Sequence, residues 1–112
     1  MNEQLELTFD IRLPKPSKTR SIGESFEMFH ELNPAVYRNL VLLCRQLAGR
    51  GRRKIGMKMV FEVLRWNYML ATEDPNSEYR LNNNYTSRYA RLIGQQEPDL
   101  AGLFETRGLK AQ

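Results

Sequence analysis

MKMVFEVLRWNYML, residues 57–70, decides what kind of fold this chain can have. Apolar residues occupy nearly its whole circumference when it is wound as a helix, and Lys58, Glu62 and Arg65, four and three apart, form its main polar stripe. A helix of that composition is expected at the centre of a domain, with one charged edge in water. Trp66 and Tyr68 then read as core residues rather than as a platform for stacking bases. The stretch is short of the ~20 apolar residues that span a bilayer, as are all other apolar runs, so no membrane association is expected.

The segments before it supply helices to pack against it. Asn33-Pro34 has the form of an N-cap followed by proline at the first helical position. Val36, Tyr37, Leu40, Val41, Leu43, Cys44 and Leu47 then give one wide apolar face, with Arg38, Asn39, Arg45 and Gln46 toward water, and Gly49 and Gly51 mark the stop. Earlier, Ser21-Ile-Gly-Glu24 has the spacing of a capping box, and Phe26, Phe29 and Leu32 follow at helical intervals. QLELTFDIRL, residues 4–13, alternates Leu5, Leu7, Phe9, Ile11 and Leu13 with polar residues, the period of an extended strand; Pro14 and Pro16 end it, and KPSKTRS reads as a linker.

Downstream, ATEDPNSE reads as a turn and EYRL, residues 78–81, as a short strand able to pair with KIG, residues 54–56. A helix is expected from Thr86 or Ser87 to about Gln95, turning Tyr89, Leu92 and Ile93 inward. Glu97-Pro98 breaks it, and DLAGLFETRGL gives a last short helix. The expected fold is therefore mainly α, a small helix-turn-helix or winged-helix-like domain over residues 21–112 with a short β element, preceded by an extended arm and linker over 1–20.

Length and composition fit that expectation: 112 residues, 41% hydrophobic and 27% charged, support one domain with a modest core. The first ten residues lack the basic and apolar blocks of a secretory signal, so a cytoplasmic location is expected. With one cysteine, Cys44, and one histidine, His30, neither an internal disulfide nor a Cys/His zinc site is expected, and no phosphate-loop or dinucleotide motif occurs among the seven glycines. Glu62, Glu73, Asp74 and Glu78 have no spacing that calls for a metal-dependent nuclease, and His30 has no evident nucleophile partner. The expectation is a binding protein, with no enzymatic activity, cofactor or metal.

The net charge of +4 is unevenly distributed. Residues 34–70 carry eight basic side chains and one acid, whereas 71–112 carry five basic and six acidic. GRGRRKIG, residues 49–56, concentrates Arg50, Arg52, Arg53 and Lys54 in a glycine-flexed connector with Lys58 just beyond, a pattern suited to phosphate. LNNNYTSRYARLIG, residues 81–94, sets Asn83, Asn84 and Tyr85 at a helix start and Arg88 and Arg91 one turn apart on it. Amides able to pair with adenine and arginines suited to guanine or phosphate are the composition of a DNA reading head, although asparagines also serve ordinary turns. DNA is the first expected partner. Whether a homodimer presents two such heads is not set by the sequence.

Two resemblances accompany this reading. Gln4-Leu5-Glu6-Leu7-Thr8-Phe9 resembles the hexapeptide by which bacterial proteins dock on the replicative sliding clamp; the resemblance implies that Gln4 enters one pocket while Leu5, Leu7 and Phe9 anchor in an apolar cleft. The alternation continuing through Ile11 and Leu13 points instead to an arm packed on the body. From KIGMKMVFEVLRW through RLNNNYTSRYARLI to DLAGLFETRGL, the chain is similar to short phage and prophage proteins, some of them winged-helix-like. That resemblance brings no activity with it and implies a phage-type origin and a helical body with a small β element. The alternative to DNA binding is a phage-encoded adaptor or inhibitor acting on a host protein, with the clamp as the named candidate. A compact helix-turn-helix uses a turn of about 3–4 residues, and residues 71–85 are longer.

Overall fold

The computed structural model describes residues 4–7 and 11–104. Among them are α1 (Ile22–Leu32), α2 (Pro34–Gly49), α3 (Met57–Ala71) and α4 (Thr86–Gln96), with single 3₁₀ turns at Asn83–Tyr85 and Pro98–Leu100. The expected capping box forms at α1: Ser21 Oγ accepts from the Glu24 N–H and a Glu24 carboxylate oxygen accepts from the Ser21 N–H, both at 3.1 Å. At the end of α2 the Gly51 N–H donates to Ala48 O and the Arg52 N–H to Leu47 O, while Gly51 takes φ +88°. Those paired bonds are a Schellman motif, and its left-handed residue, like Gly102 at φ +83°, is a place where glycine's missing Cβ is needed.

The helices enclose one core. Phe29, Val36, Leu40, Cys44, Val60, Phe61, Leu64, Tyr89 and Ile93 are all nearly inaccessible, and each large apolar side chain so buried contributes on the order of 1.5–3 kcal/mol. Aromatic edges organise it: Phe26 meets Tyr89 edge-on at 4.8 Å between centroids and Tyr85 at 5.5 Å, which ties α1 to α4.

The described residues of the arm pack on this body. Leu5, Leu7 and Ile11 lie against the core, but the hydrogen bonds come from a source that the apolar pattern does not disclose. Asn39 and Asn33 are both buried, contrary to the expected placing of Asn39 toward water. Asn39 accepts from the Glu6 N–H and donates to Glu6 O, at 2.8 and 3.0 Å. Asn33 does the same with Arg12, at 2.7 Å each way, and makes no side-chain cap to α2. A buried amide needs partners for both its ends, and an extended backbone supplies them.

Three expectations need correction. KIG and EYRL do not pair, and no strand is present among the described residues; Ile55 instead makes an isolated parallel bridge to Phe104, its N–H donating to Leu103 O at 2.6 Å. Tyr79 and Leu81 still alternate inward from exposed Glu78 and Arg80, but they are anchored by side chains, with the Tyr79 ring 4.6 Å from that of Tyr68. The final expected helix is, in its described part, only the 3₁₀ turn at Pro98–Leu100 and a bend at Gly102. Third, α3 is not surrounded. Met57, Val60, Phe61, Leu64 and Tyr68 face the core, and Met59, Val63, Trp66, Met69 and Leu70 face solvent. Trp66 is thus not a core residue; the helices present cover only one side of α3.

Candidate nucleic-acid interface

The Schellman turn delivers Arg50, Arg52 and Arg53 immediately after α2, and Ile55, buried at its bridge to Phe104, pins the connector before α3 begins. Lys54 and Lys58 flank that buried anchor and are exposed, as are the three arginines. Among the described residues none of these five cations pairs with a carboxylate. The contrast with the arginines of α2 is informative. Arg38 makes a two-bond pair with Glu6, at 2.8 and 3.0 Å, and Arg45 reaches both Glu97, at 2.8 Å, and Asp99, at 2.9 Å. Arg45 in turn belongs to a junction in which the Tyr37 hydroxyl donates to the other Glu97 oxygen at 2.7 Å. The basic charge of α2 is therefore neutralised within the fold and that of the connector is not.

The start of α3 adds to this field. Gly56, extended at φ −89° and ψ 118°, gives no side-chain cap, and the first turn contains no acid. Gly56 O receives the Met59 and Val60 N–H groups, at 3.1 and 3.3 Å. The N–H groups of Met57 and Lys58 precede the first intrahelical donors, so the positive end of the helix dipole lies beside Lys54 and Lys58. Phosphate suits such a place both by charge and by hydrogen bonding.

The 81–94 stretch is arranged differently from a reading head. Asn82 caps the 3₁₀ turn by accepting from the Asn84 N–H at 2.8 Å, and Asn83 accepts from the Arg65 guanidinium, which also donates to Leu81 O. Tyr85 is buried among Phe26 and Phe29, so its ring does not reach a groove. Asn84 remains exposed. Arg88 and Arg91 line a groove of about 240 Å³ between α1 and α4, together with Glu27, His30 and Gln95; a Cβ at Gly23 would meet the Arg88 guanidinium at 3.3 Å. None of the residues lining this groove belongs to the connector. The ten residues grouped by sequence thus divide into a cationic connector, a structural turn and a separate groove.

His30 in that groove stacks on Phe26, with centroids 6.1 Å apart and planes 5° from parallel, and its Nδ1 is buried without a partner. Burial lowers its pKa, outweighing the opposite pull of Glu31. Cys44 is fully buried and its thiol is pushed up to about 12 by desolvation, which leaves it unreactive at neutral pH. No group of three or more His, Cys, Asp or Glu among the described residues could hold a metal ion, and no helix there is long and apolar enough to cross a membrane.

In the clamp-like hexapeptide, Gln4 is exposed, Leu5 and Leu7 are half-buried against the body, and Phe9 lies outside the described residues. Docking through Leu5 and Leu7 would first require breaking the Asn39–Glu6 and Arg38–Glu6 contacts. Sequence reasoning missed both asparagine clamps and the Arg65–Asn83 link. An asparagine within an otherwise apolar helix face was the available signal for Asn39. Compared with protein-family models, curated proteins and solved structures, the chain finds no match in any of the three.

Proposed function

We propose that this chain is a non-enzymatic DNA-binding domain that grips phosphate with Arg50, Arg52, Arg53, Lys54 and Lys58 around the start of α3. The observation that supports it is the contrast in pairing: the arginines of α2 are matched by carboxylates, while five successive cations on the connector and α3 are held on an ordered turn without one among the described residues. Keeping five like charges together costs stability through self-repulsion, and a polyanion relieves it. Asn83 and Tyr85 have structural work in this reading, so sequence preference is expected to be weak. Phosphate contacts position a protein on DNA without reading bases.

The test is fluorescence anisotropy of the full chain with labelled duplex and single-stranded oligonucleotides over a salt series. Five phosphate contacts on duplex predict a log–log slope of about −4.5, and Arg52→Gln/Arg53→Gln/Lys54→Gln should reduce its magnitude by about 2.7. An unchanged affinity and slope in the triple variant would remove the connector from the interface. Absence of binding at low salt would end the DNA reading.

A further inference from the structure

The solvent face of α3 carries a second feature, an apolar stripe. Met59, Val63, Trp66 and Leu70 are 49, 39, 64 and 70% exposed. At 100° per residue these four fall within an arc of about 60°, opposite the face that packs on the core. Their spacings are four, three and four, the seam of a two-stranded helical coil over about 16 Å of axis. The series also reads the same in either direction. A two-fold axis midway between Leu64 and Arg65 maps Met59 onto Leu70 and Val63 onto Trp66, so the stripe is complementary to its own antiparallel copy.

Charge selects the same arrangement. The start of α3 is basic through Lys54 and Lys58, and the turn after its end holds exposed Glu73 and Asp74. Parallel pairing would bring two basic ends together. Antiparallel pairing brings the basic start of α3 in one copy toward the acidic turn after α3 in the other, twice, with Lys58 and Glu73 within about one helical turn of their mapped positions, and opposes the helix dipoles. We propose that α3 is a homodimerisation helix, whose occupant is a second copy of this chain bound antiparallel through Met59, Val63, Trp66 and Leu70. Dimerisation does not require DNA.

The chain's single tryptophan sits in the proposed seam. Sedimentation of the full chain at tens of micromolar should give twice the 13.2 kDa of one chain, and dilution to nanomolar should shift Trp66 emission to the red as the seam opens. Leu70→Glu, at a solvent-facing position, should stay helical by circular dichroism and sediment as a monomer. The orientation is tested by charge exchange: Lys58→Glu and Glu73→Lys should each raise the dimer Kd, by about threefold to tenfold for surface pairs, and the double variant should restore it. A monomer at 200 μM with concentration-independent emission overturns the proposal. So does a dimer that persists in Leu70→Glu, or a double variant weaker than either single one.

Discussion

Asn39 holds Glu6 by both polar groups of its backbone, Oδ1 receiving the N–H at 2.8 Å and Nδ2 donating to the carbonyl at 3.0 Å. The side-chain amide presents the donor and acceptor pair that a neighbouring strand would present, so an extended arm is secured on a helix without a sheet. Asn39→Ala should destabilise the fold by about 1–3 kcal/mol in urea unfolding, since two part-buried hydrogen bonds are lost. Asn39→Asp should be worse than its shape suggests, because it loses the donor and brings a charge to a buried site. Amide exchange at Glu6 should accelerate in both.

Tyr85 separates a structural from a reading role for the 81–94 stretch. Tyr85→Phe should leave DNA affinity unchanged, whereas Tyr85→Ala should cost about 3–5 kcal/mol of stability by opening a cavity between Phe26 and Phe29. Anisotropy and thermal unfolding on the same preparations check the two statements separately.

His30 gives the fold an acid sensitivity. Its folded pKa lies below the ordinary 6.5 because burial disfavours the imidazolium. As pH falls through 6.5, the unfolded chain takes up a proton that the folded chain resists, so stability decreases from there down to the lowered folded value and then levels for this group. His30→Phe should flatten that part of the stability–pH curve while keeping a ring against Phe26; an unaltered curve would assign the sensitivity elsewhere.

The Tyr89 hydroxyl is buried and has no hydrogen-bond partner. Removing an unmatched polar group relieves a desolvation cost. Tyr89→Phe should therefore be neutral or stabilising by up to about 1 kcal/mol, with no cavity, as read by the shift in unfolding midpoint.

The helices were legible because each announces itself locally. Ser21 and Glu24 are one capping unit, and the apolar positions of α2 recur at helical spacing through Leu47. What escaped prediction depends on partners remote in sequence. Asn33 at a helix start reads as a cap until Arg12 is seen lying across it. EYRL has the alternation of a strand, but its inward residues are satisfied by Tyr68 and the core rather than by KIG. The two apolar faces of α3 are indistinguishable in composition; only the count of helices available to cover them tells which stays open. Likewise, connector charge was visible in sequence, whereas the neutralisation of Arg38 and Arg45 needed the arm and the turn after α4.

The asparagine clamps also bear on how the chain reaches this state. They join residues 33 and 21 positions apart, whereas α1 and α2 adjoin in sequence and can form early. Long loops must close before the clamps stabilise anything, so docking of the arm is expected late, after the folding barrier. Asn39→Ala should then leave the folding rate nearly unchanged and raise the unfolding rate by almost the whole stability loss. Residues 4–7 and 11–13, N-terminal to all four helices, would be the last to find their place, and the two asparagines would act as a kinetic latch on a helical body already assembled.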